Sequence, residues 1–239
     1  FREDAAVRSG KIVYLFPATP RPHFYSTVRG LYRGGAARLP RVQPDTLLLM
    51  TQYALRLDPG AADTLDFKMP QRPISESDSP AVEALRAAAW DDYHTRAVTW
   101  WEMELARGTQ IELAERKVTD TFKSNLIFNM IARERRGDDY HQAVNKFQYP
   151  EFYLRDHAFF VRAYDLAGYP DIAEQCLNYF FKFQLPDGNF VSQRAQFDGW
   201  GQANWALGAH YRITRCRAWA RKAYPAAKRA VEWLKQARA

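Results

Sequence analysis

Two short segments combine charged, amide and aromatic residues in a way that suits sugar binding. The first is Tyr153-Leu154-Arg155-Asp156-His157, at the start of a strongly apolar helical segment. Unpaired charges at the start of a buried helix are costly, so an adjacent Arg and Asp indicate pairing or a polar cavity. Such a pair can bind vicinal hydroxyls, because a carboxylate accepts hydrogen bonds and a guanidinium donates them. The structural alternative is that Asp156 stabilises the helix N-terminus while Arg155 lies in solvent.

The second segment is Gln196-Phe197-Asp198-Gly199-Trp200-Gly201-Gln202, followed by Trp205. Its glycines let the backbone approach a ligand closely, and its indole rings lie near a carboxylate and amides. Sugars need this combination, because their C–H faces stack on aromatic rings while their hydroxyls require fixed partners. The alternative is a helix capped by Asp198 whose tryptophans belong to the core.

Several common catalytic sites are absent from the sequence. It contains no Gly-x-Ser-x-Gly segment, no Gly-rich phosphate loop, no dinucleotide fingerprint and no His-Glu-x-x-His helix. The five histidines have no zinc spacing, and neither cysteine, Cys176 or Cys216, shares metal-ligand spacing with another Cys or His. We therefore expect neither a metal nor a cofactor. Cys176 lies among apolar helix positions and is predicted to be buried.

The net charge of +7 is concentrated near the C-terminus. From Arg212 onward nine Lys or Arg residues face one acid, Glu232, so residues 1–211 are almost neutral. Without aromatic–basic interleaving, this pattern predicts a solvated helix face rather than a nucleic-acid site. No apolar run approaches the roughly 18 to 20 residues of a membrane span, so we expect no such span. The sequence gives no compartment.

The first 72 residues have the pattern of β-structure. Alternation of apolar and polar residues predicts strands over 53–58 and 64–69, joined by a turn at Asp58-Pro59-Gly60. The Pro- and Ser-rich segment 70–80 has the composition of a linker, and Ser79 and Pro80 can begin a helix.

After the linker the apolar period changes from two to about 3.6. We predict helices over 80–106, 116–135, 152–168, 171–184, 199–214 and 217–236. Residues 154–166 are apolar nearly all round, with Phe159, Phe160, Val161 and Tyr164, which predicts a helix buried between two layers. The last helix should bury a stripe of six residues, and Pro225 should bend it. The stripe comprises Trp219, Ala223, Ala226, Ala230, Val231 and Leu234.

Residues 80–239 resemble the first half of the catalytic domain of six-hairpin glycosidases, the (α/α)6 toroids that include glucoamylase-like glycoside hydrolases. Residues 153–156 are similar to the family's aromatic-x-Arg-Asp substrate-binding pair, and residues 196–202 to its Gln-x-Asp-x-x-Gly segment. Strands ending at Met69 look like the antiparallel β-sandwich that precedes the toroid in many bacterial members.

The resemblance implies an inverting hydrolase of α-linked glucosides or oligosaccharides. It implies substrate binding by eight residues: Tyr153, Arg155, Asp156, His157, Asp198, Trp200, Gln202 and Trp205. In these enzymes the general acid and base lie later in the chain, and no segment here matches either. Trp101-Glu102 is similar to the acid's context but lies in the linker helix, so the role is not carried over. The alternative within this family is that Asp156 or Asp198 itself acts as a catalytic carboxylate.

A closed toroid needs twelve helices, or roughly 260 residues, and residues 80–239 are too few. We therefore expect an incomplete toroid, with exposed apolar faces that its second half or a second copy would cover. The expected organisation is 1–72 as the end of a β-sandwich, 73–106 as linker and linker helix, and 107–239 as half a toroid.

Two other classes remain open. Residues 180–190, from Phe180-Phe181-Lys182-Phe183-Gln184 to Asp187-Gly188-Asn189-Phe190, are similar to one Gln-x-x-Asp-Gly-aromatic repeat of toroidal terpenoid cyclases. Only one copy is present, and no Asp-rich motif accompanies it. The other class is a non-catalytic carbohydrate-binding or helical scaffold, which would be favoured if the pocket held no second carboxylate.

Overall fold

Helices dominate the computed structural model of this protein, which describes residues 4–17, 24–27, 47–51 and 53–238. Seven α-helices make up about half of it, together with small antiparallel sheets, so the predicted mainly α class is confirmed. The chain divides into two compact units, Phe1–Arg96 and Ala97–Ala239. The helices are α1 (Ser79–Ala87), α2 (Trp90–Ala106), α3 (Arg116–Ala132), α4 (Leu154–Leu166), α5 (Pro170–Phe180), α6 (Gly199–Thr214) and α7 (Arg217–Ala237).

The strands form three small antiparallel sheets. They are β1 (Ala5–Arg8), β2 (Lys11–Leu15), β3 (Phe24–Thr27), β4 (Leu47–Met50), β5 (Ile74–Ser75), β6 (Arg133–Arg136) and β7 (Asp139–Gln142). The first sheet has the order β1-β2-β5, while β3 pairs with β4 and β6 with β7. Ser9 and Gly10 join β1 to β2 with positive φ angles of 51° and 70°, the backbone of a tight hairpin turn.

The first unit has a small apolar core between its sheet and α1. Ala5, Ile12 and Leu15 pack there against Val82 of α1. Asp78 caps α1 by accepting a hydrogen bond from the backbone N–H of Ala81 at 3.3 Å, so the predicted helix start at Ser79-Pro80 is confirmed.

The strands predicted over 53–58 and 64–69 are wrong. Neither stretch pairs as a strand with a described segment; the exception is an isolated bridge between Lys68 and Leu15. Leu55, Leu57 and Met69 are exposed. Alternation produces a strand only where a neighbouring strand satisfies the backbone and one face is covered, and both conditions depend on distant residues. The turn is confirmed, because Ala61 N–H donates to the Asp58 carbonyl at 2.9 Å and Gly60 has a φ of 84°.

The helix predicted over 80–106 is two helices, α1 and α2. The break lies at Ala88, whose ψ of 119° is extended, and no local breaker residue announces it. The Lys68 ammonium donates a hydrogen bond to the carbonyl of Arg86, in the last turn of α1. A side chain 18 residues upstream thus satisfies a carbonyl at the end of α1. The sequence of the helix alone does not predict this contact.

The second unit is built around the contacts of α4 with α5 and α6, and of α6 with α7. Its core includes Leu154, Tyr164, Cys176 and Trp219, all essentially inaccessible to solvent. The predicted burial of Cys176 is therefore confirmed, and burial raises the pKa of its thiol to about 12. Helix α3 ends at Ala132 rather than at residue 135, because the hairpin β6–β7, which the sequence did not predict, begins at Arg133. This hairpin turns at Gly137, whose φ is 66°.

Two burial predictions are wrong. Helix α4 is buried on one side only, because Phe159 is 64% exposed and Leu166 is also exposed. Along α7 the stripe from Trp219 to Ala230 is buried and Leu234 is half-buried, but Val231 is exposed. Composition cannot tell a face covered by a second layer from an apolar face left open to solvent. Pro225 lies inside α7, which continues to Ala237.

The start of α6 lies against the backbone of the preceding loop. A Cβ on Gly199 would overlap the carbonyl oxygen of Phe190 and lie 3.2 Å from Leu154 Cδ1. Two positions on, Gly201 has nothing within 4 Å of the corresponding point. The two glycines of the Gly-Trp-Gly segment therefore have different roles, and Gly199 permits the contact between α6 and α4.

We predict that Gly199→Ala lowers the free energy of unfolding by about 1–3 kcal/mol, because the backbone must separate to admit a methyl group. Gly201→Ala is the matched control and should be neutral or slightly stabilising, since Ala is the better helix former. Urea unfolding followed by circular dichroism measures both. Equal effects of the two variants would contradict the assigned role of Gly199.

Candidate functional site

The structure joins the two predicted segments through an ion pair. Arg155 lies in the first turn of α4, and Asp198 occupies the N-cap position of α6. Arg155 Nη2 donates to Asp198 Oδ2 at 2.8 Å, although 43 residues separate them, and both side chains are more than half exposed. Packing of α4 against α6 brings them together at one surface.

A chain of polar side chains continues from this ion pair into the loop before α6. Gln202 Nε2 donates to Asp198 Oδ2 at 2.6 Å, and Gln196 Nε2 donates to Gln202 Oε1 at 3.1 Å. Ser192 Oγ donates to Gln196 Oε1 at 2.9 Å and accepts from Leu154 N–H at 3.1 Å. The relay thus returns to α4 beside Arg155 and fixes the carboxylate between the two helix ends.

The ion pair determines the charge of Asp198. The Arg155 guanidinium holds the pKa of this carboxyl below its usual value, chiefly through their hydrogen bond. Asp198 is therefore ionised at neutral pH and holds no proton to give to a leaving group. The side chain does not cap α6, so the alternative of a capping aspartate is wrong. A sugar could still bind Asp198 Oδ1 and the remaining N–H groups of Arg155.

Asp156 does not form part of this network. Its side chain is exposed in the first turn of α4, where a negative charge is favourable, and it has no hydrogen bond or ion pair to any residue that the structure describes. Arg155 pairs with Asp198 rather than with its neighbour. Consecutive helical residues point about 100° apart, so the two side chains have different surroundings, and Asp156 lies in the first turn of α4 as the structural alternative predicts.

An aromatic pair lies next to the ion pair. Phe159 is one turn after Arg155 on α4, and Trp205 is two turns after Asp198 on α6. Their ring centroids are 5.5 Å apart and their planes are inclined by 56°. Trp205 is 39% exposed and Phe159 more so, and the pair gives an accessible aromatic surface. The apolar composition of α4 predicts Phe159 in the core, whereas its i, i+4 spacing from Arg155 indicates a position on the same exposed face.

The remaining predicted residues lie elsewhere. Trp200 is half-buried against the core, and Tyr153 is half-buried beside Tyr149 with ring centroids 6.0 Å apart. His157 is fully buried with no access to the surface. The structure therefore brings together Arg155, Asp198, Gln202 and Trp205 from the predicted set, and leaves His157 out.

His157 belongs to a buried aromatic cluster. Its ring lies 4.2 Å from that of Phe152 and 5.3 Å from that of His141. His157 Nδ1 bonds the Tyr153 carbonyl at 2.8 Å, and His141 Nε2 donates to the Pro150 carbonyl at 2.7 Å. Burial lowers the pKa of His157 to about 3 and also lowers that of His141. Both rings are therefore neutral at physiological pH.

The residues described hold no set of three His, Cys, Asp or Glu side chains placed to bind a metal ion. Within the same residues, no helix is long and apolar enough to cross a membrane. The terpenoid-cyclase-like segment 180–190 has a structural use: Asp187 Oδ1 accepts from Asn189 N–H at 3.0 Å in a turn, and Gln184 Nε2 donates to the Ala226 carbonyl of α7 at 2.8 Å.

No family model, curated protein or solved structure matches the chain. The resemblance to six-hairpin glycosidases therefore rests on the sequence of residues 153–156 and 196–202 alone.

We predict that stability falls as the pH decreases from about 6.5 toward 3, because the unfolded His157 takes up a proton that the buried ring excludes. The free energy of unfolding has its full value above the pKa of His157 in the unfolded chain, about 6.5. Below that pKa it falls, by about 2 kcal/mol between pH 7 and pH 5. Urea unfolding at both pH values measures this.

The variant His157→Phe should reduce that dependence, and His141, whose pKa burial also lowers, should maintain the rest of it. His94→Phe, which removes an exposed histidine, is the control. A slope that is the same in all three proteins would contradict the assignment to His157.

Proposed function

We propose that the surface formed by Arg155, Asp198, Gln202, Phe159 and Trp205 binds carbohydrate, and that the chain contributes this subsite to a glycoside hydrolase of the six-hairpin type. The observation that carries the proposal is the Arg155–Asp198 pair, fixed by an amide relay beside an exposed aromatic pair. Charged hydrogen-bonding groups and aromatic rings thus share one accessible face.

The chemistry of each group suits a sugar. Arg155 and Asp198 use one nitrogen and one oxygen in their mutual bond, which leaves donors and an acceptor for neighbouring hydroxyls. The rings of Phe159 and Trp205 offer apolar surface for the C–H face of a pyranose. Because the relay holds Asp198 in place, little side-chain entropy remains to be lost on binding.

The role supported is positioning rather than proton transfer. An inverting glycosidase needs a protonated carboxylic acid and a carboxylate roughly 6.5–9.5 Å apart, with water between the base and the sugar. Asp198 has a lowered pKa, which is unsuited to the acid, and Asp156 lies outside the relay. In line with the resemblance, the acid and base would come from a later part of a toroid. Arg155 and Asp198 would supply hydrogen bonds that strengthen as the ring flattens toward an oxocarbenium ion.

The substrate class proposed is an α-linked glucoside or oligosaccharide. We expect Arg155→Ala to weaken binding of a maltooligosaccharide about tenfold or more, because a charged hydrogen bond contributes about 1.5–3 kcal/mol. Trp205→Ala should weaken it through loss of stacking surface. Isothermal titration calorimetry measures both. Arg116→Ala removes another exposed ion pair, that with Asp120, away from the proposed site, and is the control.

The free energy of unfolding distinguishes a binding role of Arg155 from a structural one. An exposed ion pair contributes only about 0–1 kcal/mol, so Arg155→Ala should unfold almost as the parent protein does. Loss of helicity in Arg155→Ala, or unchanged affinity for every glycan tested, would contradict the proposal. A glycan could bind and yet not be hydrolysed, even by the chain joined to a later toroid segment. That result would favour the non-catalytic carbohydrate-binding scaffold.

A further inference from the structure

Helices α4 and α6 run parallel, and side chains from both form a seam at the surface. Arg155 and Asp198 meet at the starts of the two helices. Phe159 and Trp205 meet further along both helices, in the same order. We call the exposed surface that carries these four side chains the seam.

Arg162 continues the seam beyond the aromatic pair. It follows Phe159 by three residues on α4, and Phe159 follows Arg155 by four. Residues at these spacings are neighbours on one face of a helix. The backbone of Arg162 lies about 10 Å beyond that of Arg155 along the helix axis. The seam therefore presents an ion pair, then an aromatic pair, then a second guanidinium.

This second guanidinium is half-buried and has no partner. Among the residues that the structure describes, the half-buried Lys and Arg residues are Lys68, Arg133 and Arg162. Lys68 donates to the carbonyl of Arg86. Arg133 donates to Gln175 Oε1 at 2.6 Å. Arg162 has no hydrogen bond or ion pair to any described residue. A guanidinium that has lost part of its hydration gains from an added acceptor.

The carboxylates nearest to Arg162 along the seam are already bonded elsewhere. Asp198 is paired with Arg155 at the other end of the seam. Asp165, three residues after Arg162 on α4, is fully buried, and its Oδ1 bonds His210 Nδ1 at 2.7 Å. The seam itself thus has two guanidinium groups and one carboxylate, and its net charge is positive.

Another concave surface of the same unit, the apolar groove between α6 and α7, lacks this excess of positive charge. The groove has a volume of about 640 Å³, and Tyr211, Ala223 and Tyr224 are among the residues that line it. Its charged lining residues are Lys228 and Glu232, which have opposite signs. The seam, rather than the groove, therefore favours an anionic ligand.

We propose that the seam binds an acidic oligosaccharide and that Arg162 binds the carboxylate of a uronic acid ring. This inference rests on the proposed carbohydrate-binding function and names the class of sugar. One ring would bond to the ion pair, while a neighbouring ring covers the aromatic pair and directs its carboxylate to Arg162. A guanidinium and a carboxylate can form two parallel hydrogen bonds, which gives geometric specificity as well as affinity.

Isothermal titration calorimetry with an α-linked trimer of galacturonic acid, and with the methyl ester of the same trimer, tests this. The two probes share their rings and linkages and differ in charge. The parent chain should bind the acid about tenfold more tightly than the ester, because hydrogen bonds between charged groups are the stronger ones. Arg162→Gln should lose this preference. Arg221→Gln, at an exposed position on α7, removes the same charge elsewhere and should keep it.

Arg162→Lys keeps the charge but not the planar fork, so it should reduce the preference only in part. It replaces Arg162→Gln if that variant fails to fold by circular dichroism, and an unreduced preference would then count against the inference. Equal affinities of the parent chain for acid and ester, or equal losses in Arg162→Gln and Arg221→Gln, would overturn the inference while carbohydrate binding stands. If neither probe binds, the inference also fails, and the maltooligosaccharide titration of Arg155→Ala decides the proposed function separately.

Discussion

The packing of α4 against α6 is the contact on which the candidate site depends. At Gly199 the absence of a side chain lets the first turn of α6 meet the Phe190 carbonyl and the side chain of Leu154, the first residue of α4. This contact brings the starts of the two helices together. Arg155 and Asp198 can then form a direct hydrogen bond, although neither position is buried. The backbone contact at Gly199 thus positions the exposed side chains of Arg155 and Asp198.

Burial and exposure have separate roles along α4. The face that carries Leu154, His157, Val161 and Tyr164 lies in the core, where His157 is neutral because burial disfavours its charged form. The opposite face carries Arg155 and Phe159 and is open. One helix therefore anchors the second unit and presents the polar and aromatic groups of the site. The rigid core keeps Arg155 in register with Asp198, which suits recognition of a ligand with fixed hydroxyl geometry.

Exposed apolar surface recurs on this chain. It occurs at Phe159 and Trp205, at the groove between α6 and α7, and along α2. The first surface has charged groups with free hydrogen-bonding capacity, and the groove has an apolar lining in which Lys228 and Glu232 are the charged residues. These differences in polar surroundings separate the proposed sugar surface from the groove, because sugars need directional hydrogen-bonding partners.

Much of the fold could be predicted from the sequence. Helical periodicity predicts the bounds of the five helices after residue 106 to within four residues, since a 3.6-residue period is a local property, but it misses the break at Ala88. The turn at Asp58-Pro59-Gly60 and the helix start at Ser79-Pro80 were also correct, because turn and cap preferences act within a few residues. The two segments of the candidate site were identified from residue types alone.

What the sequence by itself determined about this protein is its mainly helical class and the residue types of the two segments that form the candidate site. Only the tertiary structure decided their partners: Arg155 bonds Asp198 rather than Asp156, His157 lies in the core, Phe159 is open, and residues 53–58 form no strand. The hydrogen bond from Lys68 to the end of α1 was likewise decided by the tertiary structure. Pairing and burial depend on residues tens of positions away, and local periodicity carries no record of which distant surface covers a given face.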